Sequence, residues 1–225
     1  MPDREQPPML DWRDGSIPVS RAFDDPYFSL GGGLAESRHV FLAGNRLPDR
    51  FRDGFHIAEL GFGTGLNLLA TLLAHTGDGH VRFTSFEAFP MLPEDIARAL
   101  TAFPETTPVA GPFLAQWASE WSGGTRTLQF PSVTAEIIIG DARGTLPEWG
   151  GRADAWFLDG FSPARNPELW SPDLMLQVAR HTAPGGTFAT YTAAGHVRQG
   201  LTEAGFTVTR SPGFGHKRHM TTGHL

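Results

Sequence analysis

The chain of 225 residues has no cysteine, a single lysine and no long apolar run. The lack of cysteine excludes disulfides, thiolate zinc sites and a cysteine nucleophile. No apolar stretch approaches the roughly 18 residues that span a membrane, and residues 1–14 are too polar for a signal peptide. We therefore expect a cytoplasmic protein without membrane contacts.

The length and the charge of the chain narrow the classes of protein to which it can belong. A chain of this length is expected to form one domain with a full core. Its 40% hydrophobic and 19% charged residues are typical of a globular protein. The net charge of −6 is uneven: residues 1–159 carry 21 acidic and 12 basic side chains, whereas residues 160–225 carry 3 and 6. An acidic chain is an unusual nucleic-acid binder, but the basic C-terminal part is suited to phosphate contacts.

Strand and helix patterns alternate from residue 55 onward, after an irregular segment 1–54 with one short helix at residues 35–42. This alternation predicts an α/β fold, with a mostly parallel sheet, helices on both faces and an antiparallel strand at the C-terminus. We predict strands at residues 55–60, 81–87, 127–130, 134–139, 153–158, 186–192, 206–210 and 218–223, the third and fourth forming a hairpin. We predict helices at residues 66–75, 93–103, 113–121, 172–180 and 195–204.

The most informative motif is the glycine-rich turn after the first of these strands, residues 59–65. Alternating glycines at a strand-to-helix turn let a nucleoside cofactor lie against bare backbone, so Gly61, Phe62, Gly63 and Gly65 are candidate cofactor-binding residues. The third glycine comes one position too early for a dinucleotide fingerprint. The acidic Glu59 before the turn suits a cationic methionine moiety and would repel a pyrophosphate. Both features favour S-adenosylmethionine over NAD; the alternative is a turn that binds nothing.

Four carboxylates are predicted at strand ends, and they should share the rim where ligands bind in such sheets. Glu59 would lie at the methionine ammonium, and Glu87 is placed to bind both ribose hydroxyls. Asp141 could bind the adenine amine, with the Ala142 N–H beside it. The fourth, Asp159, is also a candidate cofactor-binding residue, and a second role for it is considered next. For each one alone, the alternative is a loop carboxylate that caps a helix.

Asp159 opens an unusual loop, residues 159–167, that combines a carboxylate, an aromatic ring and prolines. This combination resembles the acidic or amide Pro-Pro-aromatic motif of amino-group methyltransferases. A carboxylate can orient an amine and stabilise the positive charge that develops on it, and Phe161 can supply an apolar or cation–π wall. Asp159 and Phe161 are therefore the candidate catalytic residues. The alternative is a surface turn that caps the next helix.

Other candidates lie on the substrate side. Pro163 stiffens the loop, and Phe28 could roof the site or belong to the core. Arg165, Lys217 and Arg218 could contact a nucleic-acid backbone or form a solvated basic face. The histidines show no metal-ligand spacing, so no metal is expected, and the serines lack the G-x-S-x-G elbow of hydrolases.

Six stretches resemble the MnmC-type tRNA methyltransferases: residues 24–29, 33–45, 59–67, 86–87, 156–167 and 213–218. The resemblance implies a class I, Rossmann-like S-adenosylmethionine-dependent methyltransferase fold, with residues 55–225 as the methyltransferase domain and residues 1–54 as an extension packing over the active site. It implies methylation of 5-aminomethyl-2-thiouridine to 5-methylaminomethyl-2-thiouridine at the tRNA wobble position. In that role Glu59 to Gly65, Glu87 and Asp141 bind the cofactor, Asp159 and Phe161 face the amine, and the loop of Lys217 and Arg218 approaches RNA.

The chain departs from this family in two ways. Many members carry a second, FAD-dependent domain, and we expect no FAD activity here. The family's Lys-Arg-Glu-Met motif reads Lys217-Arg218-His219-Met220. Three alternatives stay open: a methyltransferase for a small amine, a non-catalytic S-adenosylmethionine-binding module and an NAD-dependent oxidoreductase. The sequence leaves the oligomeric state open, and a monomer is compatible with it.

Overall fold

The computed structural model describes residues 7–29, 32–119 and 124–225. Its first part forms a small antiparallel sheet of β1 (Leu10–Arg13), β2 (Ile17–Ser20) and β3 (Asp25–Pro26). The sequence reading of this part as irregular is wrong. The missed signal was Asp14-Gly15, which takes positive φ at both residues and turns β1 back onto β2.

A continuous helical stretch follows and is longer than predicted. The α-helix α1 (Gly33–Ser37) continues as a π-helical turn (Arg38–Leu42) and a 3₁₀ turn (Ala43–Asn45). The buried Asn45 amide donates to the carbonyls of Phe41 and Trp156. These bonds fix the end of the stretch against the main sheet.

The main sheet has eight strands in the order β10-β11-β9-β8-β4-β5-β7-β6. Strands β4, β5, β7, β8 and β9 are parallel, whereas β6 and β11 run antiparallel to their neighbours. The predicted mostly parallel sheet, hairpin and antiparallel C-terminus are thus confirmed. The bounds are β4 (His56–Leu60), β5 (Val81–Glu87), β6 (Thr125–Gln129), β7 (Val133–Ile139), β8 (Ala153–Leu158), β9 (Thr182–Thr190), β10 (Thr207–Pro212) and β11 (His219–His224).

Six α-helices after α1 are α2 (Leu66–Ala74), α3 (Pro93–Leu100), α4 (Thr107–Trp117), α5 (Ala142–Thr145), α6 (Pro172–Arg180) and α7 (Gly195–Glu203). Helix α4 begins six residues earlier than predicted and keeps Pro112 inside it; the predicted residues 120 and 121 lie outside the described residues. The sequence analysis missed the four-residue α5. Across the described segments of the chain, no helix combines the length and apolar character needed to span a membrane.

Two apolar clusters cover opposite faces of the sheet, as side-chain alternation along strands requires. In β8, Phe157 belongs to one cluster and Trp156 to the other. The order of the main sheet reverses at β4, which has β5 on one side and β8 on the other. Such a reversal opens a crevice at the C-terminal strand ends, where α/β sheets bind ligands.

Candidate active site

A cavity of about 800 Å³ lies at these strand ends. Its size falls within the roughly 300–1,000 Å³ of small-molecule sites. The predicted site residues that line it are Phe28, Gly61, Phe62, Gly63, Glu87, Asp141, Ala142, Asp159, Phe161, Arg165 and Lys217. Four other predicted residues that the structure describes lie outside its lining: Glu59, Gly65, Pro163 and Arg218.

The three glycines of the turn after β4 all adopt positive φ, a backbone region that other residues rarely occupy. At Gly61 a Cβ would lie 3.1 Å from the Cα of Gly160, so two loops touch through bare backbone. At Gly65 a Cβ would lie 2.8 Å from the Phe113 ring. Gly65 therefore permits helix packing, whereas Gly61 and Gly63 shape the cavity wall.

Glu59 lies inside the sheet because β4 continues for one more residue, to Leu60. Its side chain is fully buried, and both carboxylate oxygens are bonded within the protein. Asn67 Nδ2 donates to Oε1 at 2.8 Å, and Ser85 Oγ donates to Oε2 at 2.6 Å. Burial raises the pKa of Glu59 well above its ordinary value. The sequence predicted direct contact with the cofactor's ammonium; the structure places Glu59 behind the cavity wall.

Asn67, at the start of α2, links Glu59 to Asp159. Its Nδ2 also donates to Asp159 Oδ2 at 2.8 Å, while the Gly160 N–H donates to Asp159 Oδ1 at 2.8 Å. Burial raises the pKa of Asp159 to about 7, although these two hydrogen bonds favour the charged form. Asp159 can therefore exchange a proton near neutral pH.

Glu87 is the last residue of β5 and supports the glycine-rich turn. Its Oε2 accepts from the Gly63 N–H at 2.8 Å, and its Oε1 accepts from the Phe89 N–H at 2.7 Å. Burial raises the pKa of Glu87, and backbone hydrogen bonds oppose that shift. A carboxylate at this strand end lies where acidic residues bind ribose in nucleotide-binding sheets.

Asp141 follows β7 and caps α5 by accepting from the Arg143 N–H at 3.0 Å. The Arg143 guanidinium binds Asp141 at 2.6 Å and Glu168 at 2.9 Å. The hydrogen bond to Asp141 raises the pKa of Arg143. Asp141 thus caps a helix, the alternative considered from the sequence, and also lines the cavity beside Ala142.

Phe161 forms an aromatic wall with the N-terminal segment. Its ring stacks on Phe23 with centroids 4.6 Å apart and meets the Tyr27 ring edge-on at 5.0 Å. The Ser162 N–H donates to Asp25 Oδ2 at 2.7 Å, which ties the loop of Asp159 to β3. This loop is therefore held by distant parts of the chain and is not an isolated surface turn.

The predicted substrate-side residues take different positions. Phe28 lines the cavity and also packs against the core, and Pro163 is buried. Arg165 lines the cavity and pairs with Asp24 at 2.9 Å. Arg218 is exposed outside the lining. The structure therefore brings only part of this predicted set to the site.

Lys217 meets two residues for which the sequence analysis proposed no role. Its Nζ lies 2.8 Å from Glu36 Oε1 and 4.2 Å from the centroid of the Tyr191 ring. Tyr191 in turn donates its O–H to the Gly160 carbonyl at 2.8 Å. Glu36, like Asn67, lies in a stretch that resembles the MnmC-type family, and this resemblance was the only indication in the sequence that it belongs to the site. Nothing in the sequence indicated that Tyr191 belongs to it.

A switch point in a parallel sheet, a glycine-rich turn and acidic strand ends are together typical of nucleoside-cofactor sites. A sequence profile of the S-adenosyl-L-methionine-dependent methyltransferase family matches residues 104–225. The match covers more than half of the chain, which therefore belongs to this family, and the predicted class I fold is confirmed. Within the described ranges, no three side chains of metal-binding type form a group suited to an ion.

Individual relatives of the chain point to a narrower group within this family. The tRNA 5-methylaminomethyl-2-thiouridine biosynthesis bifunctional protein MnmC of Pseudomonas aeruginosa is 47% identical, covering 95% of this chain and 34% of that protein. The protein of the same name from Chromohalobacter salexigens is 44% identical, covering 97% and 33%. The crystal structure of MnmC2 from Aquifex aeolicus has a TM-score of 0.74 and 29% identity, covering 97% of this chain and 70% of that one. The predicted resemblance is confirmed, and the chain spans about a third of the length of the curated relatives it matches.

Proposed function

We propose that this chain methylates the primary amine of 5-aminomethyl-2-thiouridine at the tRNA wobble position, giving 5-methylaminomethyl-2-thiouridine. The observation that carries the proposal is Asp159, a half-buried carboxylate with a pKa of about 7 in the cavity lining, next to the aromatic wall of Phe161. The names of the relatives, which specify biosynthesis of this nucleoside, support the substrate. The proposed partner is tRNA, and the proposed location is the cytoplasm.

The residues around the glycine-rich turn fit S-adenosylmethionine, which supplies a methyl group activated by a sulfonium charge. Gly61 and Gly63 leave room where side chains would fill the cavity. Glu87 would bind the ribose hydroxyls, and Asp141 the adenine amine, with the Ala142 N–H beside it. Glu59 would act at a distance, by holding Asn67 in place for Asp159.

Asp159 would hold the acceptor amine and take its proton. A carboxylate with a pKa near 7 can accept a proton from an ammonium group and release it to water. The nitrogen lone pair would then be free to accept the methyl group that S-adenosylmethionine supplies, and the Asp159 carboxylate would stabilise the positive charge that develops on the nitrogen. Phe161 would exclude water and favour a cationic group at its ring face. Positioning the two reactants supplies much of the rate enhancement.

We also propose that residues 1–54 cover the site and act as one unit with residues 55–225. Three contacts support this proposal: Asp25 to the Ser162 N–H, Phe23 on Phe161, and Glu36 to Lys217. Each joins the first 54 residues to the region after β8. Removing the extension should therefore expose the acceptor side of the cavity.

A methyltransferase for a small amine is the second candidate, and one observation favours it. Arg165 and Lys217, two of the three cationic side chains expected to bind RNA, are paired with Asp24 and Glu36. These pairs and the net charge of −6 reduce the attraction to phosphates.

The test is a methyl-transfer assay on tRNA carrying 5-aminomethyl-2-thiouridine, with digested nucleosides read by mass spectrometry. The mass should increase by one CH₂ unit on that nucleoside alone, and tRNA lacking the modification should not react. A parallel assay with free 5-aminomethyluridine and simple primary amines addresses the second candidate. Reaction with small amines but not with tRNA would overturn the tRNA proposal.

A further inference from the structure

Lys217 places its ammonium group in a site built from other parts of the chain. The Glu36 carboxylate, on α1, is 2.8 Å from Nζ, and the Tyr191 ring face is 4.2 Å away. Glu36 is only 8% exposed, whereas the Lys217 side chain is 44% exposed. A shielded carboxylate and an aromatic face both favour a cation in a partly dry site.

This cation site belongs to the cavity that contains Asp159. Glu36, Tyr191 and Lys217 all line that cavity. Glu36 acts to raise the pKa of Asp159 and Lys217 acts to lower it, so both charges lie within electrostatic reach of that carboxylate. The ammonium group of Lys217 therefore lies on the acceptor side of the proposed reaction.

We propose that Glu36 and the Tyr191 ring form the binding site for the acceptor's ammonium group, and that Lys217 fills this site until the substrate amine replaces it. The inference rests on the proposed function, because that function supplies a primary alkylammonium as the acceptor. The Lys217 side chain ends in the same chemical group, with three N–H donors and one charge. The contacts made by Lys217 thus show which contacts the substrate would make.

Only the side chain of Lys217 needs to move in this exchange. Its backbone N–H donates to the Phe214 carbonyl at 3.0 Å, and the Gly213 N–H donates to the Arg218 carbonyl at 3.2 Å, so the loop itself is held. The Lys217 side chain is 44% exposed, so its ammonium group can leave the pair without crossing the protein interior. Lys217 can therefore rotate into solvent, and Glu36 would then select an ammonium group over a neutral hydroxyl.

The chain contains a single lysine, which gives a direct readout. Lysine-selective isotope labelling yields one side-chain NMR signal, shifted by the ring current of Tyr191. Titration with 5-aminomethyluridine should move this signal to the position of a free lysine. The neutral 5-hydroxymethyluridine should leave it unchanged. Binding of each nucleoside is followed independently through the nucleoside's own resonances.

Two variants test the exchange through affinity. Lys217→Met empties the site, so 5-aminomethyluridine should bind about tenfold more tightly, because the fraction of molecules with an open site rises. Glu36→Gln should weaken its binding about tenfold and abolish the preference for the amine over the hydroxyl. Arg180→Met and Glu105→Gln are matched controls at exposed positions outside the cavity lining. Retained S-adenosylmethionine binding shows that each variant is folded.

Three results would overturn the inference: a Lys217 signal that stays in place while the amine is bound, equal responses to both nucleosides, or no amine binding by any form of the protein. None of them depends on methyl transfer. If tRNA is not methylated but the amine displaces Lys217, the proposed tRNA substrate is wrong and the proposed ammonium site is supported. If tRNA is methylated without displacement, the reverse holds.

Discussion

The interior of the cavity and its mouth are held by different kinds of interaction. In the interior, Glu59 and Glu87 are buried and Asp159 is half-buried, and each accepts two hydrogen bonds of 2.6–2.8 Å. At the mouth, the pairs Arg165–Asp24 and Lys217–Glu36 have side-chain exposures of 52%/66% and 44%/11%. Buried charges are costly to rearrange, whereas the cations at the mouth have exposed side chains that can turn into solvent. The interior is therefore suited to fixed chemistry and the mouth to admitting a charged substrate.

The largest expected effect comes from Asp159→Asn, which keeps the shape of the interior and removes its proton acceptor. We expect kcat to fall by about 10²–10⁴-fold, with S-adenosylmethionine affinity nearly unchanged. Single-turnover kinetics and calorimetry measure the two quantities. Asp173→Asn, on the exposed side of α6, is the control. Turnover like that of the wild type would remove Asp159 from the mechanism.

Gly61→Ala should act on the cofactor instead of the chemical step. Its φ of 82° is unfavourable for alanine, and the new Cβ would lie 3.1 Å from the Cα of Gly160. We expect a loss of about 1–2 kcal/mol in stability from the backbone conformation and at least about tenfold weaker cofactor binding, equivalent to about 1.4 kcal/mol. Gly54→Ala is a matched control, because Gly54 has a φ of 73° and a Cβ added there would meet no atom within 4 Å. Equal losses of cofactor affinity in both variants would contradict a local role for Gly61.

The raised pKa of Asp159 also predicts how the free energy of unfolding depends on pH. The folded pKa of about 7 lies above the ordinary value of 3.8, so the folded state binds the proton more tightly. This contribution to stability is fully present below the unfolded pKa and is lost as the pH rises through about 7. The Asp159→Asn variant should therefore gain stability relative to the wild type between about pH 5 and pH 8, by roughly 1 kcal/mol or more. Denaturant titrations of both proteins at both pH values measure this difference in the free energy of unfolding. A difference that does not change with pH would show that the charged form of Asp159 does not destabilise the folded state.

The contrast between the interior and the mouth also explains which parts of the site the sequence could predict. Glu87, Asp141 and Asp159 follow or end strands, so local patterns placed them on the correct rim. Glu59 was expected to contact the ligand because it lies at the end of its strand, but its side chain is fully buried and is bonded to Asn67 and Ser85. Deciding such a case requires the register of the neighbouring strands, which no local pattern carries.

The mouth was predicted less well because its contacts join distant parts of the chain. Glu36 and Lys217 are 181 residues apart, and nothing near either residue indicates its partner. Lys217 and Arg165 were therefore interpreted as free cations, although the structure pairs both. The short strands β1 to β3 were missed for a related reason, since strands of two to four residues give almost no alternation to recognise.

The smallest expected effect tests the mouth alone. Arg165→Met removes one cation whose pair with Asp24 is exposed on both sides, so stability should change by no more than about 0.5 kcal/mol. If Arg165 leaves Asp24 to contact a tRNA phosphate, KM for tRNA should rise about threefold and the salt dependence of binding should fall by about one ion. Arg52→Met is the control, since Arg52 pairs with Asp154 outside the cavity lining. A change in kcat would instead place Arg165 in the chemical step, and the division between a fixed interior and an exchangeable mouth would no longer hold.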